Sequence, residues 1–268
     1  MTRQLRGNQY PYRTALVTGA SSGIGVSVAR LLAARRVRLC LVARRTERLE
    51  AFAHELRTDF ATSVEICAAD LTDAGHLARV EDRLRVGQPA VELLVNNAGM
   101  STAGRYTDNP VDSEVHKVLL NVIAMMRLTH AALPRMLAAR HGGVLTISSL
   151  MSWMPSPGNA TYASTKAFIT SLSRSVHDET RAAGVHVTVS EPGPVRTEFF
   201  DTSGLRLRFV PQGLWLAPEQ VAEDGLAAVA AGRSVTVPDV RHRAMAAVTK
   251  RLPEPLLQVI GRRLWDAP

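Results

Sequence analysis

The stretch ALVTGASSGIGVSVARLLAAR, residues 15–35, decides the fold. Ala15–Thr18 is a short apolar, β-branched run that predicts a buried strand. An amphipathic helical pattern follows over 24–35. Between them the glycines are spaced G-x3-G-x-G. Gly19 lets the chain turn sharply off the strand, because glycine tolerates backbone angles that a Cβ forbids. Gly23 and Gly25 keep side chains away from the place where a phosphate group and the crossing strand approach. The helix that opens here offers free N–H groups and a positive dipole end to an anion. The pattern differs from the commoner G-x-G-x-x-G dinucleotide fingerprint. A glycine-rich strand–helix turn without a ligand is the alternative reading.

Outward from this unit the same alternation repeats. Strand-like runs lie at Arg38–Ala43, Val64–Cys67, Leu93–Asn96, Val144–Ser148, Val185–Ser190 and Ser234–Val237, with helical stretches near 46–57, 73–86, 111–139, 160–183 and 218–231. Such alternation predicts βαβ units and a parallel α/β sheet. The runs are apolar throughout, as strands covered by helices on both sides must be. No linker or repeat divides the 268 residues, so one domain over 1–268 is expected. The irregular stretch 197–217 carries Phe199, Phe200, Phe209 and Trp215, and a loop of that length reads as a lid or binding loop. The last segment, 239–268, is a basic extension with six Lys or Arg against three acids.

Composition narrows the function classes. Hydrophobic residues make up 46% and the net charge is +8, the profile of a globular protein. The basic excess is discounted: only Lys117, Lys166 and Lys250 are lysines among 32 basic residues, a skew that points to codon bias. No basic run is interleaved with aromatics, which argues against nucleic-acid binding. The N-terminus has no apolar run, and no stretch is long and apolar enough to span a bilayer. Cys40 and Cys67 sit in strand-like runs and read as reduced and buried, as in a cytoplasmic protein. No metal is assigned.

The second strand ends in VARRTER, placing Arg44 and Arg45 where an NAD binder often carries an acid for the ribose 2′-hydroxyl. A carboxylate repels a 2′-phosphate, whereas a guanidinium forks onto it, so NADP is favoured. Surface arginine from the compositional skew is the competing explanation. Asp70, in AADLT, suits an adenine amino group, or else caps the next helix, a task open equally to Thr72 or Asp73.

Tyr162 and Lys166 are four residues apart in YASTK, which puts them on one helix face. A free tyrosine titrates near 10, and bringing it to about 7 requires roughly 4 kcal/mol of differential stabilisation. A neighbouring ammonium in a partly dry pocket, helped by the cationic nicotinamide ring, is expected to supply it, making the phenol an acid/base matched to neutral pH. Ser149 follows the fifth strand, on the edge where such sheets bind ligands, and is placed to hold a substrate oxygen.

Taken together, TGASSGIG at 18–25, DLT at 70–72, NNAG at 96–99, Asn121, ISS at 147–149, YASTK at 162–166 and PGPVRT at 192–197 resemble the short-chain dehydrogenase/reductase family in its common single-domain form. The resemblance covers about residues 13–237, with every motif in order and 13 residues from Ser149 to Tyr162. It implies a doubly wound, seven-stranded parallel sheet, often in dimers or tetramers. Carried over by position, Tyr162 resembles the catalytic acid/base, and Lys166 the residue that lowers its pKa and holds the nicotinamide ribose. Ser149 orients the carbonyl, and Asn121 kinks its helix and anchors a water for proton relay. The cofactor set implied is Gly19, Ser21, Ser22, Gly23, Ile24, Gly25, Arg44, Arg45, Asp70, Leu71, Asn97, Ala98, Gly99, Tyr162, Lys166, Pro192, Gly193, Val195 and Thr197. Glu191 departs from the pattern, since a small or neutral residue usually precedes the PG pair. The tail (AMAAVTKRL, PLLQVIGRRLW) reads as a packed helix or subunit contact, with a membrane-surface helix as the alternative.

The expectation is an NADP(H)-dependent oxidoreductase that interconverts a carbonyl and a secondary alcohol on an apolar substrate (lipid, steroid, acyl or polyketide). A dinucleotide-binding sensor or scaffold without chemistry is the competing class. It is disfavoured because the Ser, Tyr and Lys of the site are all retained.

Overall fold

The structure, a computed structural model, describes residues 10–205, 210–249, 251–253 and 255–259. Among these, seven strands form one sheet: β1 (Thr14–Thr18), β2 (Arg38–Ala43), β3 (Val64–Ala68), β4 (Leu93–Asn96), β5 (Gly142–Ile147), β6 (Val185–Ser190) and β7 (Val235–Thr236). Their order is β3-β2-β1-β4-β5-β6-β7 and every pair is parallel. The α-helices between them are α1 (Gly23–Ala34), α2 (Thr46–Phe60), α3 (Ala74–Arg85), α4 (Val111–Val118), α5 (Met125–Ala139), α6 (Ala160–Thr180), α7 (Phe199–Ser203) and α8 (Pro218–Ala230), and α9 (Val240–Thr249) follows β7.

Alternate strand residues feed two cores. Ala15, Val17, Leu39, Leu41 and Val95 face Val28, Leu32, Leu49, Leu56 and Leu226 of α1, α2 and α8. Leu16, Cys40, Val42, Leu94 and Val144 face Leu77, Val80, Leu128 and Met136 of α3 and α5. Each fully buried Leu or Val contributes about 2 kcal/mol, which is why these strands are apolar on both sides. The chain winds outward from β1 to β3, then returns to β4 on the other flank of β1. The connections above β1 and β4 therefore diverge and open a crevice at the carboxyl edge, where doubly wound sheets bind ligands.

The expected helix over 111–139 is interrupted. Leu119–Ala124 forms a π-helical turn between α4 and α5, with Asn121 inside it. Such a turn carries one extra residue and is a frequent mark of a functional site. The stretch 197–217 also has more order than expected, holding α7 and a 3₁₀ turn at Gln212–Leu214. Phe209 lies outside the described residues.

Candidate active site

A cavity of about 630 Å³ fills the crevice. Its floor at one end is the glycine turn. A Cβ at Gly25 would meet the Gly19 carbonyl oxygen at 2.3 Å and the Asn97 amide nitrogen at 2.7 Å, so this position packs helix against strand. Gly25 stands behind the cavity wall. Gly19 and Gly23 do line it, at φ +65° and +53°, with Thr197 against the Gly23 Cα. Ser22 caps α1 in extended backbone without turning its hydroxyl onto the first turn. The N–H groups of that turn are thereby left for a ligand, beside Gly23 and Ile24 on the cavity wall. That cradle fits a pyrophosphate.

At the end of β2, Arg44 and Arg45 are exposed at the cavity rim. Arg45 folds back over the turn, donating to the Ser21 hydroxyl at 3.1 Å and to the Ser21 carbonyl at 3.3 Å. It also pairs with Glu198 at 3.2 Å, as does Arg48 at 3.0 Å. These hydrogen bonds hold the Glu198 carboxyl below its usual range. Asp70 accepts from the Thr72 backbone (2.9 Å) and hydroxyl (2.7 Å). Burial pushes its carboxyl up, but those bonds and the Arg44 guanidinium outweigh it and hold it below the usual value. The cap of α3 is Asp73, which accepts from the His76 N–H at 2.8 Å, so Asp70 is not the capping residue.

At the other end stand Ser149, Tyr162 and Lys166, all on the cavity wall. The helical spacing brings Lys166 Nζ over the Tyr162 ring, 5.5 Å from its centroid. The same ammonium donates to the Ile147 carbonyl at 2.8 Å, pinning α6 to the end of β5. Burial pushes Tyr162 up to about 12, with a hydrogen bond from Ser149 opposing it. Burial pushes Lys166 down to about 8. The ammonium stands at the ring face and spends a donor on Ile147, so loss of water decides the phenol's acidity. At neutral pH the tyrosine is a proton donor.

Asn121 braces this end from behind. Its side-chain carbonyl accepts from the Met100 N–H at 2.9 Å, and its amide donates to the Met100 carbonyl (2.9 Å) and the Thr165 hydroxyl (3.1 Å). It is not on the cavity wall, so the structure places it among the supports of the site rather than among its contacts.

The short chain dehydrogenase family profile matches residues 13–206. The chain belongs to the short-chain dehydrogenase family. Members are oxidoreductases of CH–OH groups in small molecules and bind a nicotinamide dinucleotide. This chain is 32% identical over 189 residues, 70% of its length, to an NADP-dependent 3-hydroxy acid dehydrogenase of Schizosaccharomyces pombe, of which it covers 73%. It spans 60% of the length of other curated relatives it matches. Among solved structures it is similar to a short-chain dehydrogenase from Sphingobium yanoikuyae in complex with NADPH, with TM-score 0.80 and 31% identity, covering 90% of this chain and 96% of that one. It is also similar to the bulky-bulky ketone specific alcohol dehydrogenase from Comamonas testosteroni, with TM-score 0.77 and 29% identity over 91% and 96% of the two chains.

In this short-chain dehydrogenase the remaining expected residues, Leu71, Asn97, Ala98, Gly99, Pro192, Gly193, Val195 and Thr197, all line the cavity. Asn97 ties the strand end to the turn, donating to the Thr18 and Gly19 carbonyls at 3.0 and 3.2 Å. Along 197–217, Tyr162 is followed by Phe199, Phe200 and Trp215 in contact, with centroids 5.6, 5.8 and 4.9 Å apart. Phe199 and Phe200 face the cavity, whereas Trp215 lies behind them on a shallow outer hollow, contrary to its expected place. Two features were not foreseen. The first turn after Ser149 brings Trp153 to the wall. Helix α9 brings His242, Met245, Ala246 and Thr249 there as well. Gly193 must be glycine because the His242 ring packs on it, 2.3 Å from where a Cβ would stand. The start of the basic extension is thus a packed helix closing the site. Its residues beyond 259 lie outside the described ones.

Proposed function

We propose that the chain is an NADP(H)-dependent oxidoreductase that interconverts a carbonyl and a secondary alcohol on an apolar substrate. The observation that carries this is the meeting of Ser149, Tyr162 and Lys166 on one wall of the cavity that begins at the glycine turn. When bound, the nicotinamide dinucleotide supplies or accepts the hydride. Ser149 donates a hydrogen bond to the substrate oxygen and Tyr162 exchanges the proton with it. Lys166 holds the ribose and keeps a positive charge beside the phenol. Asn121 acts as a positioning residue through Met100 and Thr165.

Three observations support the finer points. Arg44 and Arg45 suit a 2′-phosphate, in line with the NADPH-bound structure and the NADP-dependent relative. Phe199, Phe200, Met151, Met154 and Leu205 give an apolar substrate end, in line with a solved relative specific for bulky ketones. Val111, Val115 and Val118 of α4 and Phe168 of α6 are exposed on two helices that touch, apolar surface suited to a second copy of the chain. A cytoplasmic setting is supported by the two free cysteines. Among the described residues no helix is long and apolar enough to cross a membrane.

Loss of dinucleotide absorbance with a panel of apolar ketones, run with NADPH and with NADH, tests the reading. Turnover with NADPH and an aryl or cyclic ketone is expected. No turnover with any carbonyl overturns it.

A further inference from the structure

We propose that Glu191 is a positioning residue that fixes the Trp153 indole as a wall of the substrate end, and so sets which carbonyl compounds reach Tyr162 and Ser149. Glu191 is the residue where the chain departs from its family's pattern, at the carboxyl end of β6. It is fully buried. Burying a carboxylate is costly, so a packing role alone would favour a neutral residue. Its Oε2 accepts from the Trp153 indole N–H at 2.8 Å. An indole that lines an apolar cavity needs such an acceptor, and a carboxylate is the strongest available. The face of the same ring carries the Arg174 guanidinium, 5.8 Å from its centroid. The indole is therefore held at its edge from β6 and on its face from α6.

The anchoring extends to Ser149. Trp153 ends a 3₁₀ turn, Leu150–Trp153, that starts at Ser149. Leu150 donates to the Pro192 carbonyl at 3.0 Å, and Met151 donates to the Ser149 hydroxyl at 3.2 Å. One short turn thus carries both the polar group for the substrate oxygen and the aromatic wall beside it. Both ends of that turn are tied to residues 191–192. A bulky apolar carbonyl compound, with an aryl or fused-ring group to lay against Trp153, is the substrate class this wall suits. The inference rests on the reading of the cavity as a carbonyl reductase site.

The test compares Glu191→Leu, which removes the acceptor, with Glu191→Gln, which retains one. The expected result for Glu191→Leu is a KM for a bulky aryl ketone raised about 10-fold, the worth of one good pocket contact. Turnover of a small aliphatic aldehyde and binding of NADPH should stay at the parent level, and Glu191→Gln should behave as the parent. An equal loss for bulky and small substrates overturns the proposal, and so does equal behaviour of the two variants. A second readout needs no turnover. The chain has three tryptophans, so Trp215→Phe with Trp265→Phe leaves Trp153 as the reporter. Adding Glu191→Leu should shift its emission to longer wavelength and raise quenching by acrylamide, with Glu191→Gln unchanged. Unmoved emission overturns the proposal even if ketones are reduced. Moved emission in a protein that reduces no ketone supports the anchoring and defeats the enzymatic reading instead.

Discussion

The two ends of the cavity are built by different means. The dinucleotide end is made of backbone: a glycine turn, a helix N-terminus and strand ends locked by Asn97. The substrate end is made of side chains that arrive from distant segments: Trp153 after β5, Phe199 and Phe200 at the start of α7, Met245 and Ala246 on α9. The first is rigid because its atoms leave no room. The second is held by a few hydrogen bonds and ring contacts.

Glycine substitutions expose the contrast most strongly. Gly25→Ala drives a Cβ into the Gly19 carbonyl, with the Asn97 side-chain amide beside it. A loss of about 3 kcal/mol or more is expected in denaturant unfolding, at the upper end for overpacking. Gly204, in the substrate segment at φ +68°, has nothing within 4 Å of its missing Cβ. Gly204→Ala should cost only about 1 kcal/mol, the left-handed backbone penalty. Comparable losses at the two positions would break the contrast.

Lys166 joins the two ends and gives the next largest effect. Lys166→Met should lower turnover about 100-fold while leaving the fold intact. In the folded chain burial holds the Lys166 ammonium down at about 8, below the ordinary lysine value of 10.5. The folded state therefore binds fewer protons than the unfolded chain between those values, and wild-type stability should rise with pH across that window. Below about 8 the cost of the buried charge is fully present, so Lys166→Met should melt no lower than wild type at pH 7 and should lose that slope. Reduction by the wild type should be level below pH 8 and fall above it as Lys166 discharges. A Lys166→Met variant that unfolds at pH 7 would contradict this.

Arg44→Ala with Arg45→Ala sharpens the reading of the dinucleotide end. The Kd for NADPH should rise about 30-fold from lost charge-assisted hydrogen bonds, with NADH little changed. Equal weakening of both would remove the arginines from the 2′-phosphate. At the opposite end Phe199→Ala should raise the KM for a bulky ketone about fivefold, without moving NADPH affinity. A change in NADPH affinity instead would mean that the two ends are not separable.

The contrast also explains how far the sequence could be read. The dinucleotide end is legible because each residue acts through its own backbone: Gly19 where the chain turns, Asn97 at a strand end, Tyr162 and Lys166 one helical turn apart. Strand and helix positions follow for the same local reason. Four features escaped because they depend on partners far along the chain. The phenol's acidity is governed by burial, which spacing does not reveal. Glu191 stood out as an anomaly, yet its partner Trp153 carries no local signal. Trp215 faces away from the cavity because Phe200 occupies the inner side. Helix α9 reaches the site by packing on Gly193, which only the folded chain brings together.

The central claim is that the Tyr162 hydroxyl carries the proton at a site whose dinucleotide end is independent of it. Tyr162→Phe removes that one oxygen and keeps the ring against Phe199. NADPH affinity measured by fluorescence titration should equal that of the wild type, while ketone-dependent oxidation of NADPH falls about 1000-fold. Wild-type turnover in Tyr162→Phe would contradict the account.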